Sequence, residues 1–140
     1  MTNEPIPIPV ADEAGELADF DITIAGAPAG AWYAYLAGLD LGEWKDDETG
    51  EVVPRYVWNW MADVEGRQLA IQQRTSRSTG PRSMPYQILV ALVGSAAVKP
   101  SAVFRASELI GREAILTVEI AEGRSRVVAV TAVPKGRKSP

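Results

Sequence analysis

From Val52 to Val64 the chain reads VVPRYVWNWMADV, with Tyr56, Trp58, Trp60, Ala62 and Val64 at every second position and Arg55, Asn59 and Asp63 between them. Successive side chains of a β-strand point to opposite faces, so a spacing of two makes this run a strand with one face in a core. Glu65-Gly66 then makes a tight connection to Arg67–Thr75, where Leu69 and Ile71 alternate with Gln68, Ala70, Gln72 and Arg74. The two runs read as a hairpin.

The remaining elements fall into place around it. Ala31 to Leu39 carries Trp32, Tyr33, Tyr35 and Leu36 and is expected to be the first strand. Glu43 to Gly50 is acidic and holds the turn-forming run Asp46-Asp47-Glu48-Thr49-Gly50, so it is expected to be an exposed hairpin loop. Phe20 to Ala25 is expected to add a short strand upstream. The run TSRSTGPRS, Thr75 to Ser83, is a surface loop. A helix follows it, with Ser83 as N-cap and Pro85 in the first turn; Ile88, Leu89, Leu92 and Val93 stand at helical spacing before Gly94 stops it. Ala96 to Arg105 is irregular around Pro100. Ala114–Ile120 and Arg124–Val133, joined by Glu122-Gly123, are the last two strands.

Five strands with one helix between the third and fourth is the chain order of a mainly β, five-stranded OB-type barrel, whose second and third strands and nearby loops present the ligand face. A β-sandwich would need about seven strands. With 140 residues there is room for one domain, placed at 21–133. An arm at 1–20 precedes it. There Pro5, Pro7 and Pro9 alternate with Ile6, Ile8 and Val10, and Asp12, Glu13, Glu16 and Asp19 follow. Alternating proline blocks helix and central strand alike, so a flexible acidic arm is expected. A flexible basic tail at 134–140 holds Lys135, Arg137 and Lys138. Met1 to Val10 has no basic n-region, and no stretch approaches the roughly 20 apolar residues that cross a bilayer. The expectation is a cytoplasmic protein without membrane contact.

The sequence contains no cysteine and no histidine. Zinc sites of the usual kind, thiol nucleophiles, disulfides and imidazole triads are thereby excluded. Carboxylate catalysis needs Asp or Glu pairs that spacing alone does not show, and Asp46, Asp47 and Glu48 read more simply as a turn. No enzyme, cofactor or metal site is expected. Charge is divided unevenly along the chain: residues 1–51 hold 12 acids and one base, Lys45, whereas residues 52–140 hold 6 acids and 13 bases. A net −11 thus faces a net +7, within an overall −4. Such asymmetry points to nucleic acid or membrane contact with an acidic segment attached; a solvated, loose N-terminus would give the same count.

Four stretches together resemble a family. They are Gly30-Ala31-Trp32, the run Val57 to Gly66, the loop from Thr75-Ser76 to Gly80-Pro81, and Glu108-Leu109-Ile110-Gly111-Arg112. Over residues 30–133 they resemble small phage-encoded OB-fold single-stranded DNA-binding proteins. The resemblance implies a binder with little sequence preference, acting in phage replication or recombination in the host cell cytoplasm. It leaves room for a homo-oligomer and for replication or recombination proteins as partners. The alternative is a protein-interaction or structural accessory module of a phage that uses the same barrel, since fold alone does not choose a ligand.

A sequence-tolerant binder needs cations for phosphates and flat rings for bases. Arg55, Arg67, Arg74, Arg77 and Arg82 lie on the second and third strands or the loop that leaves them, with no lysine among them. Arginine suits planar recognition of phosphate, although ordinary surface charge would look the same. Tyr33 and Tyr35 stand opposite in parity to Trp32, Ala34 and Leu36 and are candidates for stacking, with Tyr56 and Trp44. Trp58 and Trp60 are assigned to the core.

Overall fold

A computed structural model describes residues 19–134; the expected arm, except Asp19 and Phe20, and the tail beyond Pro134 lie outside the described residues. Five strands form one antiparallel sheet in the order β3-β2-β1-β4-β5. They are β1 (Gly30–Lys45), β2 (Val52–Val64), β3 (Arg67–Thr75), β4 (Glu113–Ala121) and β5 (Arg124–Thr131). The ten-residue helix α1 (Met84–Val93) lies between β3 and β4, with a one-turn helix α2 (Ala106–Leu109) ahead of β4. Among the described residues no ladder joins the edge strands β3 and β5, so the sheet is open there. The architecture is therefore mainly β, one five-stranded antiparallel sheet with a helix packed on β5 and β4. Among the described residues no helix is long and apolar enough to cross a membrane.

The β2–β3 hairpin follows the alternation of its sequence. Trp58, Trp60, Ala62 and Val64 are buried, and their neighbours in β3, Leu69 and Ile71, pack against the same core. Trp58 and Trp60 are 2% and 1% exposed. At about 150–250 Å² of ring surface each, and about 25 cal/mol per Å², they contribute on the order of 4–6 kcal/mol apiece before conformational entropy is counted. Their indole N–H groups must still be satisfied. The core face of β3 continues past Ile71 into Gln73 and Thr75, which are buried for this purpose: Trp60 Nε1 donates to Gln73 Oε1 at 3.0 Å and Trp58 Nε1 to Thr75 Oγ1 at 2.9 Å. Ala34 and Leu36 of β1, Ile88, Ala91 and Leu92 of α1, and Ala114 and Leu116 of β4 complete the core.

Two sequence expectations fail. β1 extends to Lys45, so Glu43 and Trp44 belong to a strand rather than a loop. The reason is an offset between Leu36 and Gly38, where one extra residue enters β1 against β2. The offset lets the first half of β1 pair with β4 (Gly30 to Tyr35) while the rest pairs with β2 as far as Lys45 opposite Val52. Phe20 to Ala25 forms no strand. Phe20, Ile22 and Ile24 are 63%, 80% and 81% exposed; among the described residues the chain is first tied to the sheet beyond them, where Ser125 Oγ donates to the Ala27 carbonyl.

The helix starts and stops as its sequence dictates. Ser83 Oγ accepts from Tyr86 N at 3.3 Å, Pro85 sits in the first turn, and Gly94 ends it at φ 92, a conformation that glycine adopts without a Cβ penalty.

Candidate nucleic-acid interface

Cross-strand partners in an antiparallel sheet project from the same face, so the register sorts the candidate residues. On the outer face, opposite the core, Tyr33 pairs with Asp63, Tyr35 with Met61, Asp40 with Val57, Gly42 with Arg55 and Trp44 with Val53. In the next strand, Gln72 pairs with Asn59 and Arg74 with Val57. Tyr33, Tyr35, Trp44, Arg55 and Arg74 therefore share one surface across β1, β2 and β3. Tyr35 is 38% and Trp44 47% exposed.

A polar chain crosses this surface. Asn59 Nδ2 donates to Asp40 Oδ2 at 3.0 Å and Gln72 Nε2 to Asn59 Oδ1 at 3.2 Å. Arg74 Nε and Nη2 reach Gln72 Oε1 at 3.4 and 3.3 Å. These bonds lay the Arg74 guanidinium along the sheet. One rung further, the Arg55 guanidinium carbon stands 6.0 Å from the centre of the Trp44 ring, a cation–ring contact.

Arg77, just beyond the end of β3, completes this end. Its Nε donates to the Arg55 carbonyl and its Nη2 to the Gly42 carbonyl, both at 3.2 Å. Its guanidinium carbon lies 5.7 Å from the centre of the Tyr56 ring, which meets Trp58 edge-on at 5.8 Å and 77°. Gly42 is required here: a Cβ at this position would lie 2.8 Å from Val57 Cγ2.

Arg55, Arg74, Arg77, Trp44 and Tyr56 are thus gathered at the Gly42 end. The chain matches no family model and no curated protein. Tyr33 and Tyr35 stand on the same face but at its other end, beside Asp63 and Glu113, their partners in β2 and β4. Trp44 is nine residues from Tyr35, about 30 Å along a strand. Arg67 opposes Val64 at the far hairpin, and Arg82 is exposed in the loop before α1. Tyr56 belongs to the core face and is half-buried, packed against the core.

The sequence reading missed a cleft of about 720 Å³ at the same end. Leu39, Leu41, Tyr56 and Trp58 of the sheet wall it on one side, Tyr86 and Leu89 of α1 and the segment 98–106 on the other. Nothing in the irregular stretch Ala96 to Arg105 assigns it a function by sequence. The available signal was Val98, Val103 and Phe104, apolar residues spread through a stretch that forms no long element; Val103 is 87% exposed.

Proposed function

We propose that this chain is an OB-type domain that binds single-stranded DNA without catalysis and with little sequence preference, protecting strands displaced in replication or recombination. The order of strands and helix, and a first strand shared between β4 and β2, support the OB assignment; a partly open barrel would leave its seam between β3 and β5, the two edges of this sheet. The observation that carries the ligand is the pair of arginine–ring contacts, Arg55 on Trp44 and Arg77 on Tyr56, flanking a single rung. A guanidinium held on a ring keeps N–H groups at its rim for phosphate oxygens, and an exposed indole offers a face to a base. The carboxylates Asp63 and Glu113 at the other end turn the backbone of a nucleic acid toward the arginines.

A protein-docking module is the rival, favoured by the exposure of Leu41 and Val103 at 71% and 87%. Salt separates the two readings. Tryptophan fluorescence is titrated with oligo-dT and with a matched duplex at two salt concentrations. Saturable quenching that is tighter for the single strand and falls steeply with salt supports our reading through counterion release. No response to either nucleic acid, or an affinity indifferent to salt, refutes it.

A further inference from the structure

The cleft beside Arg77 has a construction that the outer face lacks. Gly42 and Arg55 are opposed across one rung; Arg55 projects from the outer face, and the next residue, Tyr56, lines the cleft. Arg77 bridges the two, bonded to both rung carbonyls while its guanidinium lies over Tyr56. The rim between outer face and cleft is therefore cationic. The rings of Tyr56, Trp58, Tyr86 and Phe104 contribute to the walls of an open cleft of about 720 Å³. That lies within the roughly 300–1,000 Å³ of small-ligand sites. Trp58, buried and with its N–H taken by Thr75, forms the floor beneath Tyr56 rather than a face open to a ligand. Besides the two tyrosines, polar residues in the lining are few: Asp40, whose carboxylate is bonded to Asn59 on the outer face, Thr79, Lys99 and Ser101.

This is a container for a flat body that is largely apolar on its faces, hydrogen-bonds at its edge and carries negative charge nearby. An uncharged aliphatic chain would make no use of Arg77 or Lys99, and a bare phosphate would not engage the rings. We propose that the cleft takes one unstacked nucleobase of a bound single strand, with the adjoining phosphate at Arg77. The proposal rests on the single-strand reading above and adds to it a fixed point. Most bases lie loosely on the outer face, whereas one turns over the Gly42–Arg55 rung into the cleft.

The test uses the full chain, a dye-labelled oligo-dT, and a strand of the same length made wholly of abasic sites, which has phosphates but nothing to insert. Two variants fill the cleft from separate segments, Ala106→Trp and Ala102→Phe. Both positions line the cleft and are exposed, so either substitution leaves the core untouched, and thermal melting verifies this. In the wild type, oligo-dT should bind more tightly than the abasic strand. In the filled variants its affinity should fall by about tenfold, within what one stacked base contributes, with abasic binding unchanged. Filled variants that bind oligo-dT as the wild type does, or that lose both strands equally, overturn the cleft and leave the outer-face reading standing. A wild type that binds neither strand overturns both.

Discussion

Replacing Gln73 by leucine should destabilise the protein although it puts an apolar side chain into an apolar core. Gln73 is 7% exposed and its Oε1 is the acceptor for Nε1 of Trp60, itself 1% exposed. Leucine fills similar space but accepts nothing, and water does not reach the indole. A buried donor left unpaired costs about 1–3 kcal/mol. At about 4 °C per kcal/mol for a domain of this size, the melting temperature should fall by about 4–12 °C. Urea unfolding followed by far-ultraviolet circular dichroism measures the loss without relying on tryptophan emission. Trp60→Phe removes the donor instead and strands the Gln73 amide. The double variant has neither polar group, so it should be more stable than the two single losses would sum to, by about 1–2 kcal/mol. Additivity within about 0.5 kcal/mol would show that the bond is worth nothing to the fold, and the reasoning fails.

Three further outcomes are expected. Ser83→Ala removes the hydroxyl that caps α1 and should cost about 1 kcal/mol, read from the urea midpoint. Gly42→Ala places a methyl 2.8 Å from Val57 Cγ2, on a valine 8% exposed, and should cost about 1–3 kcal/mol by the same assay. Arg77→Ala should weaken oligo-dT binding and lower the slope of log affinity against log salt by about one. Arg67→Ala, on the far hairpin, should leave that slope as it was; equal effects of the two arginines would remove the case for a site at the Gly42 end.

The parts of the fold legible in the sequence were those in which local pattern and burial agree. β2 and β3 occupy the residues that their alternation marked, and α1 lies between the cap and stop that Ser83 and Gly94 supply. β1 was read too short because the extra residue between Leu36 and Gly38 shifts the alternation, and because Glu43 and Lys45 look like loop residues. Phe20 to Ala25 has the pattern of a strand, yet a strand is made by its neighbour, and none of the described strands pairs with it. Parity placed Tyr33, Tyr35, Arg55 and Arg74 on one surface correctly but could not show how far apart they fall along it. Arg67 and Arg77 illustrate the same limit, since ten residues of sequence separate opposite ends of a strand. The role of Gln73 and Thr75 was hidden because polar residues on a core face are explained only by their partners, Trp60 and Trp58.

The shared first strand sets an order in which the sheet can come apart. Tyr33, Ala34 and Tyr35 are flanked on both sides, by Asp63, Ala62 and Met61 of β2 and by Ile115, Ala114 and Glu113 of β4, whereas among the described residues Gly38 to Lys45 pair with β2 alone. In deuterated solvent the amides of the first group should be the last of β1 to exchange, and those from Leu41 to Lys45 should fray early. The part of the strand that borders the arginines is thus the part free to breathe while the rest of the sheet stays locked.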